Sequence, residues 1–338
     1  MLRMEAFNFI QMASAYSQSL LSYAVDGAPR PFSASFVVSN QCNIHCSYCN
    51  FPGMTKAQLN LSEIELLFAK LKKMGVQRLG LLGGEPLLRK DIGEIVLLAK
   101  EKGFFVSMNS NLLLYEKKKH LLKEVDFWFT SIDGTPEKHQ ANRGVQDFDR
   151  IINAVRDIRK QGKKLIAICV VTNPDKAIAD YLIDMAIKEN IEIHFQPECY
   201  DTEIVQRSAP ENQNQLDITE FWKYILKLKL SGAPISSSVP YLKYIIQWNN
   251  YSISSYYDET TRCAAGRGFL FIDTEGFAYP CAYTKGKMQG INLLTHDWQH
   301  DFDKKTPCTQ CIVGPMLEFN VLFKNPATAI ANSLGRLQ

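Results

Sequence analysis

A chain of 338 residues with 46% hydrophobic residues can bury a large core, so its nine cysteines are not needed as disulfide staples. The 38 Lys and Arg residues nearly balance 35 Asp and Glu residues, and a net charge of +3 predicts no nucleic-acid partner. The N-terminal sequence carries one arginine and no unbroken apolar run, which excludes a typical signal peptide, and no segment reaches the roughly 18 apolar residues of a membrane span. We therefore expect a cytoplasmic protein, in which clustered cysteines are more often metal ligands than disulfides.

The first predicted element is an N-terminal helix within residues 1–30, where apolar residues recur at helical spacing until Gly27. We expect this helix to pack on the main domain, and a shallow membrane contact stays open as an alternative. Next comes a strand, SASFVVS at 33–39, which leads directly into CNIHCSYC at 42–49.

Strands and helices then alternate along the chain. Apolar runs predict strands at 76–82, 104–109, 126–133, 163–172 and 191–197, and helical periods predict helices at 61–75, 91–102, 116–124, 147–161 and 177–189. Ser62 and Glu65 predict a capping box at the start of the first of these helices. Six strands alternating with helices predict an α/β fold around a parallel sheet, either open or rolled into a partial barrel.

Polar residues follow every one of these strands. After the cysteine loop they are Gly83, Gly84, Glu85 and Pro86, then Ser107 and Asn109, Ser131 and Asp133, Thr172 and Asn173, and Gln196 and Glu198. By itself, Gly-Gly-Glu-Pro is more often a turn, and Ser-x-Asp is commonly a helix cap. In parallel folds, however, the loops after the strands meet at one edge, where ligands bind, and this shared edge favours a functional site.

Three cysteines, Cys42, Cys46 and Cys49, lie within eight residues of that first loop. Soft thiolates select iron–sulfur clusters or zinc, and a closed zinc site needs a fourth ligand, which Cys308 or Cys311 would have to supply from far along the chain. A four-iron cluster held by three cysteines keeps one iron free of protein ligands. That open iron can take a substrate.

The spacing C-x3-C-x2-C, with Tyr48 before the last cysteine, resembles the radical S-adenosylmethionine (SAM) superfamily, and the strand order over about 33–200 is similar to that family as well. The resemblance implies a partial (β/α)6 barrel over 31–234, a SAM-binding 4Fe-4S cluster on the three cysteines, and an electron donor such as flavodoxin or ferredoxin. It also implies reductive cleavage of SAM to methionine and a 5'-deoxyadenosyl radical, which removes a hydrogen atom from a small-molecule substrate.

The resemblance assigns roles residue by residue. The SAM contacts are Gly83, Gly84 and Glu85 for the amino group, Ser107 and Asn109 for the ribose, Ser131 and Arg143 for the carboxylate, and Tyr48 near the adenine. The chain departs from the family pattern in one place, because 109–111 is Asn-Ser-Asn where many members have Thr-Asn-Gly.

A second cysteine group comprises Cys263, Cys281, Cys308 and Cys311, and FLFID-TEG-FAYP between the first two predicts a β-hairpin. Four thiols brought together in this way can hold zinc or an iron–sulfur cluster. The spacing C-x17-C followed by C-x2-C resembles the twitch form of the SPASM extension. This resemblance implies a small cluster domain with an auxiliary 4Fe-4S cluster, which with a linker helix would occupy 235–338.

An auxiliary cluster with four protein ligands would pass electrons, and an electron acceptor beside a substrate radical favours net oxidation of a small metabolite, sugar or lipid precursor. Cys199 is a candidate hydrogen or proton donor, and Glu198 and Asp133 are candidate bases that would take a proton from the substrate. Cys169, in the middle of a predicted strand, is expected to be a core residue.

Two alternatives stay open from the sequence. In the first, the same radical forms a carbon–carbon bond, acts as a lyase or modifies a peptide, although the roughly 30 residues before the first strand are expected to be too few for a leader-recognition domain. In the second, the chain is a non-catalytic zinc or iron–sulfur scaffold and the polar strand ends are incidental.

Overall fold

A computed structural model describes residues 14, 17–18, 31–200, 208–209, 214–256, 263, 265–266, 268–296 and 310–324. The predicted N-terminal helix lies almost entirely outside the described residues, and so does Cys308. Among the described residues, no helix is both long and apolar enough to cross a membrane.

The strands alternate with helices, as predicted. The strands are β1 (Ser33–Ser39), β2 (Arg78–Gly83), β3 (Phe105–Asn109), β4 (Phe127–Ser131), β5 (Lys164–Val171), β6 (Glu192–Pro197), β7 (Ser255–Tyr256), β8 (Phe269–Ile272), β9 (Phe277–Tyr279), β10 (Ile291–Asn292) and β11 (Gln310–Cys311). The helices are α1 (Leu61–Lys73), α2 (Ile92–Glu101), α3 (Tyr115–Lys118), α4 (Pro136–Arg143), α5 (Phe148–Lys160), α6 (Lys176–Glu189), α7 (Gln215–Leu230), α8 (Val239–Ile246) and α9 (Gly314–Lys324). Short 3-10 helices occupy Phe51–Gly53, Pro86–Leu88, Lys119–Leu121 and Ala282–Thr284. The predicted α/β class and the six predicted strands, β1 to β6, are confirmed.

Two local predictions were wrong. The capping box at the start of α1 is formed by Asn60 and Glu63, whose side chains accept from each other's backbone N–H at 3.0 and 2.8 Å. Ser62 already lies inside the first turn, because the helix begins one residue earlier. The helix predicted at 116–124 is also shorter, since α3 ends at Lys118 and continues only as a 3-10 turn.

The chain forms two compact units that are interleaved in sequence. The first consists of Met1–Asn43, Asn50–Trp128 and Ala264–Pro307, and the second of Ile44–Cys49, Phe129–Cys263 and Cys308–Gln338. The domain boundaries predicted from the sequence, after residues 30 and 234, stay predictions.

The first unit is built around β1. This strand pairs in parallel with both β2 and β8, and β2 pairs in parallel with β3. The predicted hairpin is confirmed as antiparallel β8 and β9, and β10 extends it. The hairpin therefore belongs to the same sheet as β1. In the same unit, the ring of Phe68 packs edge to face on those of Phe36 and Phe104.

A buried arginine ties β1 to the start of α1 in the first unit. Arg89 is 5% exposed and donates to the backbone oxygens of Val38 (2.7 Å) and Leu59 (2.6 Å), and its Nε donates to Asp91 at 2.7 Å. Arg89 thus supplies a hydrogen-bond donor to both buried carbonyls, and it holds the end of β1 to the residue before Asn60.

The second unit contains the parallel pair β5 and β6. The backbone N–H of Ile132, just after β4, donates to Ile168 in β5 at 2.9 Å. Phe195 of β6 packs edge to face on Phe221 of α7, a helix that the sequence patterns did not predict. One face of β6 is therefore covered by a helix, which leaves His194 and Gln196 on the opposite face.

Candidate active site

The cysteine loop joins β1 to the 3-10 helix Phe51–Gly53, and Cys42, Cys46 and Cys49 are each half-buried. The Cys49 N–H donates to the Cys46 carbonyl at 3.2 Å, which closes a tight turn. Within the described ranges, no three Cys, His, Asp or Glu side chains already converge on one point as in a closed metal site. The role of the three thiols as cluster ligands stays a prediction that rests on their spacing.

In the first unit, the two glycines after β2 press against the chain that follows β1. A Cβ on Gly83 would lie 2.2 Å from the Ser39 oxygen, and one on Gly84 would lie 2.4 Å from the Gln41 oxygen and 2.6 Å from that of Asn40. Backbone atoms cannot move aside for a methyl group as a flexible side chain can. Glycine is therefore required here by the close approach of two backbone segments.

The carboxylate of Glu85 is fully buried beside these glycines. It accepts hydrogen bonds from the Leu87 N–H (2.9 Å), the Ser110 hydroxyl (2.8 Å) and the Asn111 N–H (2.8 Å). Burial raises the pKa of Glu85 to about 7, although the three hydrogen bonds oppose this shift. Oε1 accepts two of these bonds and Oε2 only one, so Oε2 keeps room for one more donor.

Sequence reasoning missed Ser110 and Asn111. Asn111 also donates from Nδ2 to Asn43 Oδ1 at 2.9 Å and so ties the loop after β3 to the residue that follows Cys42. The predicted ribose contacts lie just before these residues, with Ser107 buried in β3 and Asn109 exposed at its end. Their assignment stays a prediction.

In the second unit, Asp133, Arg143 and Tyr48 form one buried polar group. Arg143 Nε and Nη2 donate to the two Asp133 oxygens at 2.8 and 3.1 Å, and Tyr48 Oη donates to Oδ2 at 2.8 Å. The Val170 N–H adds a fourth donor at 3.1 Å. Because all four hydrogen bonds hold this carboxylate in place, the geometry favours a positioning role for Asp133, and its predicted role as a substrate base stays a prediction.

Helix α4 carries Arg143 to this position. The Thr135 hydroxyl caps its first turn by accepting from the Lys138 N–H at 3.3 Å, and Gly144, with φ 69°, ends it directly after Arg143. The remaining nitrogen of Arg143, Nη1, donates to Cys46 Sγ at 3.7 Å. Burial lowers the pKa of Arg143, but the charge and hydrogen bond of Asp133, together with Tyr48 and Cys46, outweigh it and leave the pKa raised, so the guanidinium stays charged.

The ionisation of Tyr48 follows from the same surroundings. Its pKa is raised well above the usual value, chiefly by burial, while Arg143 lowers it and Asp133 raises it. The Arg143 guanidinium carbon lies 5.4 Å from the Tyr48 ring centre. Tyr48 is thus a neutral phenol whose orientation is fixed by Asp133.

His139 is a further member of this group that the sequence did not reveal. Its Nδ1 accepts from the Asp133 N–H at 3.2 Å, and the side chain is 1% exposed. Burial, assisted by the Arg143 charge, lowers the pKa of His139 to about 4, so the ring is neutral near pH 7. The string SIDGTPEKHQANR gives no local signal for a histidine that folds back six residues.

Two further residues named from the sequence, Ser131 and Thr172, also lie in the second unit. Ser131 is half-buried at the end of β4. Asn142 accepts at its backbone oxygen from the Ser47 N–H (2.9 Å), and its side chain donates to the Thr172 hydroxyl (3.2 Å). The loop after β5 and the cysteine loop are therefore held to the same end of α4.

The predicted catalytic residues after β6 are both buried. Glu198 Oε2 accepts from the Tyr200 hydroxyl at 3.1 Å, and Cys199 Sγ approaches the Pro197 oxygen at 3.9 Å. Burial raises the pKa of Tyr241, and charges on Glu318, Cys199 and Cys311 raise it further. Cys199 and Cys311, a residue of the second cysteine group, thus both affect the same buried tyrosine.

Two members of that second group, Cys263 and Cys311, lie in the second unit and affect the same tyrosine. Burial raises the pKa of Tyr244, and charges on Cys311 and Cys263 add to the shift, so both thiols lie near this ring. Cys263 Sγ also accepts from Asn320 Nδ2 at 3.4 Å. Cys281 belongs to the first unit, where its sulfur accepts from the Tyr283 N–H at 3.4 Å. The complete four-cysteine set stays a prediction.

Comparison with known proteins defines the class. The family model described as "Radical SAM superfamily" matches residues 36–207, about half of the chain. The chain therefore belongs to the radical SAM superfamily, whose members bind a 4Fe-4S cluster and SAM, and the predicted family is confirmed.

Curated relatives share this part of the chain. A "Probable GTP 3',8-cyclase" of Pyrobaculum aerophilum is 27% identical over 171 residues, covering 47% of this chain and 55% of the relative. A protein of the same name from Thermoplasma volcanium is 32% identical over 156 residues, covering 44% and 47%. The chain spans about half the length of these relatives.

Solved structures match over more of the chain. Streptococcus suis SuiB superposes with a TM-score of 0.65 at 19% identity, covering 82% of this chain and 67% of SuiB. The structure described as "Native anSMEcpe with bound AdoMet and Kp18Cys peptide" gives a TM-score of 0.65 at 15% identity, covering 90% of this chain and 99% of that one. At these identities the matches show the fold alone.

Proposed function

We propose that this radical SAM enzyme holds its 4Fe-4S cluster on Cys42, Cys46 and Cys49 and oxidises a small metabolite, sugar or lipid precursor. When bound, the cluster and SAM supply a 5'-deoxyadenosyl radical that abstracts hydrogen. The observation that carries the proposal is the cysteine loop at the family spacing, with the charged Arg143 held 3.7 Å from Cys46 Sγ by Asp133. A soft thiolate set with a fixed cation beside it suits an anionic iron–sulfur cluster.

The proposed SAM contacts in the first unit are Gly83, Gly84 and Glu85. The Oε2 atom of Glu85 has one acceptor position left for the SAM ammonium, and a cation there would favour the ionised carboxylate. Ser107 and Asn109 are proposed for the ribose. Because Gly83 and Gly84 carry no side chain, their backbone would be able to approach SAM closely.

The proposed contacts in the second unit are Arg143 and Ser131 for the SAM carboxylate and Tyr48 for the adenine. Nε and one N–H of Nη2 donate to Asp133, and one N–H of Nη1 donates to Cys46 Sγ, so the second N–H groups of Nη1 and Nη2 are proposed for the anionic group. Asp133 is proposed as the residue that aims these nitrogens. The hydrogen bond from Tyr48 to Asp133 likewise fixes the position of the phenol oxygen.

The oxidative outcome is supported by the second cysteine group. Cys263 and Cys311 gather near Tyr244, and with Cys281 and Cys308 they would hold an auxiliary 4Fe-4S cluster. A cluster closed by four cysteines would accept the electron released by oxidation, and the substrate proton would pass to Glu198 or Asp133. Cys199 is proposed as a hydrogen or proton donor. An external flavodoxin or ferredoxin is proposed as the electron donor for SAM cleavage.

A second candidate function is radical cyclisation, a redox-neutral carbon–carbon or ring closure. The name shared by the curated relatives, GTP 3',8-cyclase, favours it, although this chain spans about half of those proteins. Peptide modification is the third outcome to assay, since solved neighbours include SuiB bound to the precursor peptide SuiA and anSMEcpe bound to a Kp18Cys peptide.

The test begins with iron, sulfide and zinc per chain after anaerobic reconstitution. We expect about eight irons in the wild type and about four after Cys42, Cys46 and Cys49 are all changed to Ala. Cys169→Ala is the matched control, because this thiol is 3% exposed inside β5 and belongs to neither group, so its iron content should equal that of the wild type.

The second part of the test is incubation with SAM and dithionite, followed by assay of 5'-deoxyadenosine. Formation of this product by the wild type but not by the triple variant supports SAM cleavage, and its absence from the wild type would favour the scaffold alternative. About four irons in the wild type, with zinc at the C-terminal cysteines, would refute the oxidative part and favour redox-neutral chemistry.

A further inference from the structure

Arg143 divides its three nitrogens between two partners. Nε and Nη2 grip the carboxylate of Asp133 at 2.8 and 3.1 Å, and Nη1 donates to the sulfur of Cys46 at 3.7 Å. The side chain is 8% exposed and that of Asp133 is fully buried. Thus the donor to the sulfur belongs to a guanidinium that water hardly reaches.

The direction of Nη1 is fixed from several sides. Asp133 accepts from Tyr48 Oη and from the Val170 N–H, while its own backbone N–H is bound by His139 Nδ1. These bonds hold the carboxylate, and the planar fork of the guanidinium then leaves Nη1 a single direction. Donation to the sulfur is therefore a built feature of the fold.

Such a donor acts on any iron bound through that sulfur. Hydrogen bonds to the sulfurs of an iron–sulfur cluster stabilise its reduced, more negative form and so raise its reduction potential. The ion pair with Asp133 cancels much of the charge of Arg143 at longer range, so the local N–H group is the main influence on Cys46.

We propose that Arg143, through Nη1 on Cys46 Sγ, raises the reduction potential of the SAM-binding cluster, and that Asp133 is the positioning residue for this contact. The inference rests on the proposed cluster binding at Cys46. It gives Arg143 a function before SAM arrives, separate from its proposed contact with the SAM carboxylate. The physiological consequence is a cluster that weaker electron donors can reduce.

The experiment is a redox titration followed by electron paramagnetic resonance on the reconstituted full chain without SAM. The signal to follow is the one lost when Cys42, Cys46 and Cys49 are changed to Ala. We expect Arg143→Gln to lower its midpoint potential, because the variant loses the charged donor and leaves Asp133 unpaired.

The double variant Arg143→Gln with Asp133→Asn separates the hydrogen bond from the charge. The double variant has no unpaired buried carboxylate. If Arg143→Gln alone does not load iron, the double variant therefore provides the decisive measurement. A midpoint below that of the wild type supports the inference. A midpoint equal to that of the wild type would overturn it, because the single-variant effect would then come from the Asp133 charge alone.

Arg156→Gln is the matched control. Arg156 grips Glu189 with the same two-nitrogen fork, at 2.7 and 2.6 Å, but it is not bonded to a cysteine. Its midpoint should equal that of the wild type, and a shift as large as that of Arg143→Gln would refute a specific effect at Cys46. If the wild type shows no such signal, cluster binding at Cys42, Cys46 and Cys49 is itself refuted. Failure of the proposed function is thus distinguishable from failure of the inference about Arg143.

Discussion

The fully buried Glu85 makes the stability of this chain depend on pH in a way that one substitution removes. Its pKa in the folded chain is about 7, against an ordinary value of 4.5. The folded chain therefore keeps the proton over a range where the unfolded chain has released it. Stability from this group is complete below about pH 4.5 and is lost as the pH rises to about 7.

The magnitude follows from the shift. At about 1.4 kcal/mol per pKa unit, the free energy of unfolding should fall by about 2.5 kcal/mol between about pH 5 and pH 8 on account of Glu85. In Glu85→Gln this part of the slope is absent. The amide nitrogen cannot accept from the Asn111 N–H, so the variant should lose about 1–3 kcal/mol at pH 5 and be nearly as stable as the wild type at pH 8.

Urea titrations of the cluster-free chain under anaerobic conditions measure this difference. The stability difference between wild type and Glu85→Gln should shrink by about 2.5 kcal/mol between about pH 5 and pH 8. Glu65→Gln is the control for the substitution itself, because the Glu65 side chain is 58% exposed whereas that of Glu85 is fully buried. Parallel pH profiles for wild type and Glu85→Gln would refute the reasoning.

Three further predictions concern single residues. Gly84→Ala should lower the free energy of unfolding, measured by urea titration, by about 1–3 kcal/mol or more, because the new Cβ would meet fixed backbone oxygens. Gly80→Ala, whose Cβ would first meet a serine hydroxyl at 3.2 Å, should cost less, and equal losses would contradict the close-approach argument. Arg89→Met should cost about 3 kcal/mol in the same titration, since two buried carbonyls lose their donor, and a loss below about 1 kcal/mol would argue against that role. The pKa of His139 is lowered from 6.5 to about 4, so the unfolded chain takes up a proton that the folded chain does not. The free energy of unfolding should therefore fall by about 2 kcal/mol as the pH falls from about 7 to 5. His139→Asn should lack this acid sensitivity, and an unchanged profile would show that the ring does not titrate as described.

Local pattern was sufficient for the main sheet and for several helices. The predicted helices at 91–102 and 147–161 differ by one residue at each end from Ile92–Glu101 and Phe148–Lys160. Their apolar residues recur with the helical period over three turns, which is long enough to be unambiguous. The capping box failed for the opposite reason, because its position depends on a single residue and two candidate pairs lie two residues apart.

The sheet neighbours of the C-terminal hairpin needed the tertiary structure. The turn in FLFID-TEG-FAYP predicts β8 and β9, but nothing in that string indicates that β8 lies beside β1. Pairing between strands more than two hundred residues apart depends on which edge the rest of the chain leaves open. The local spacing of residues does not indicate which edge that is.

The sequence by itself determined the class of chemistry, because three cysteines and Tyr48 at fixed spacing fall within one short loop and need no folding to be recognised. Only the tertiary structure decided how the surrounding polar residues are used. Tyr48 meets Asp133 across 85 residues of sequence, and Asp133 is thereby a holder of Arg143 with all four of its hydrogen bonds engaged. The physical reason is that a buried polar atom must find its partner wherever the packed chain places one, and that place is set by strand pairing and helix packing over the whole fold.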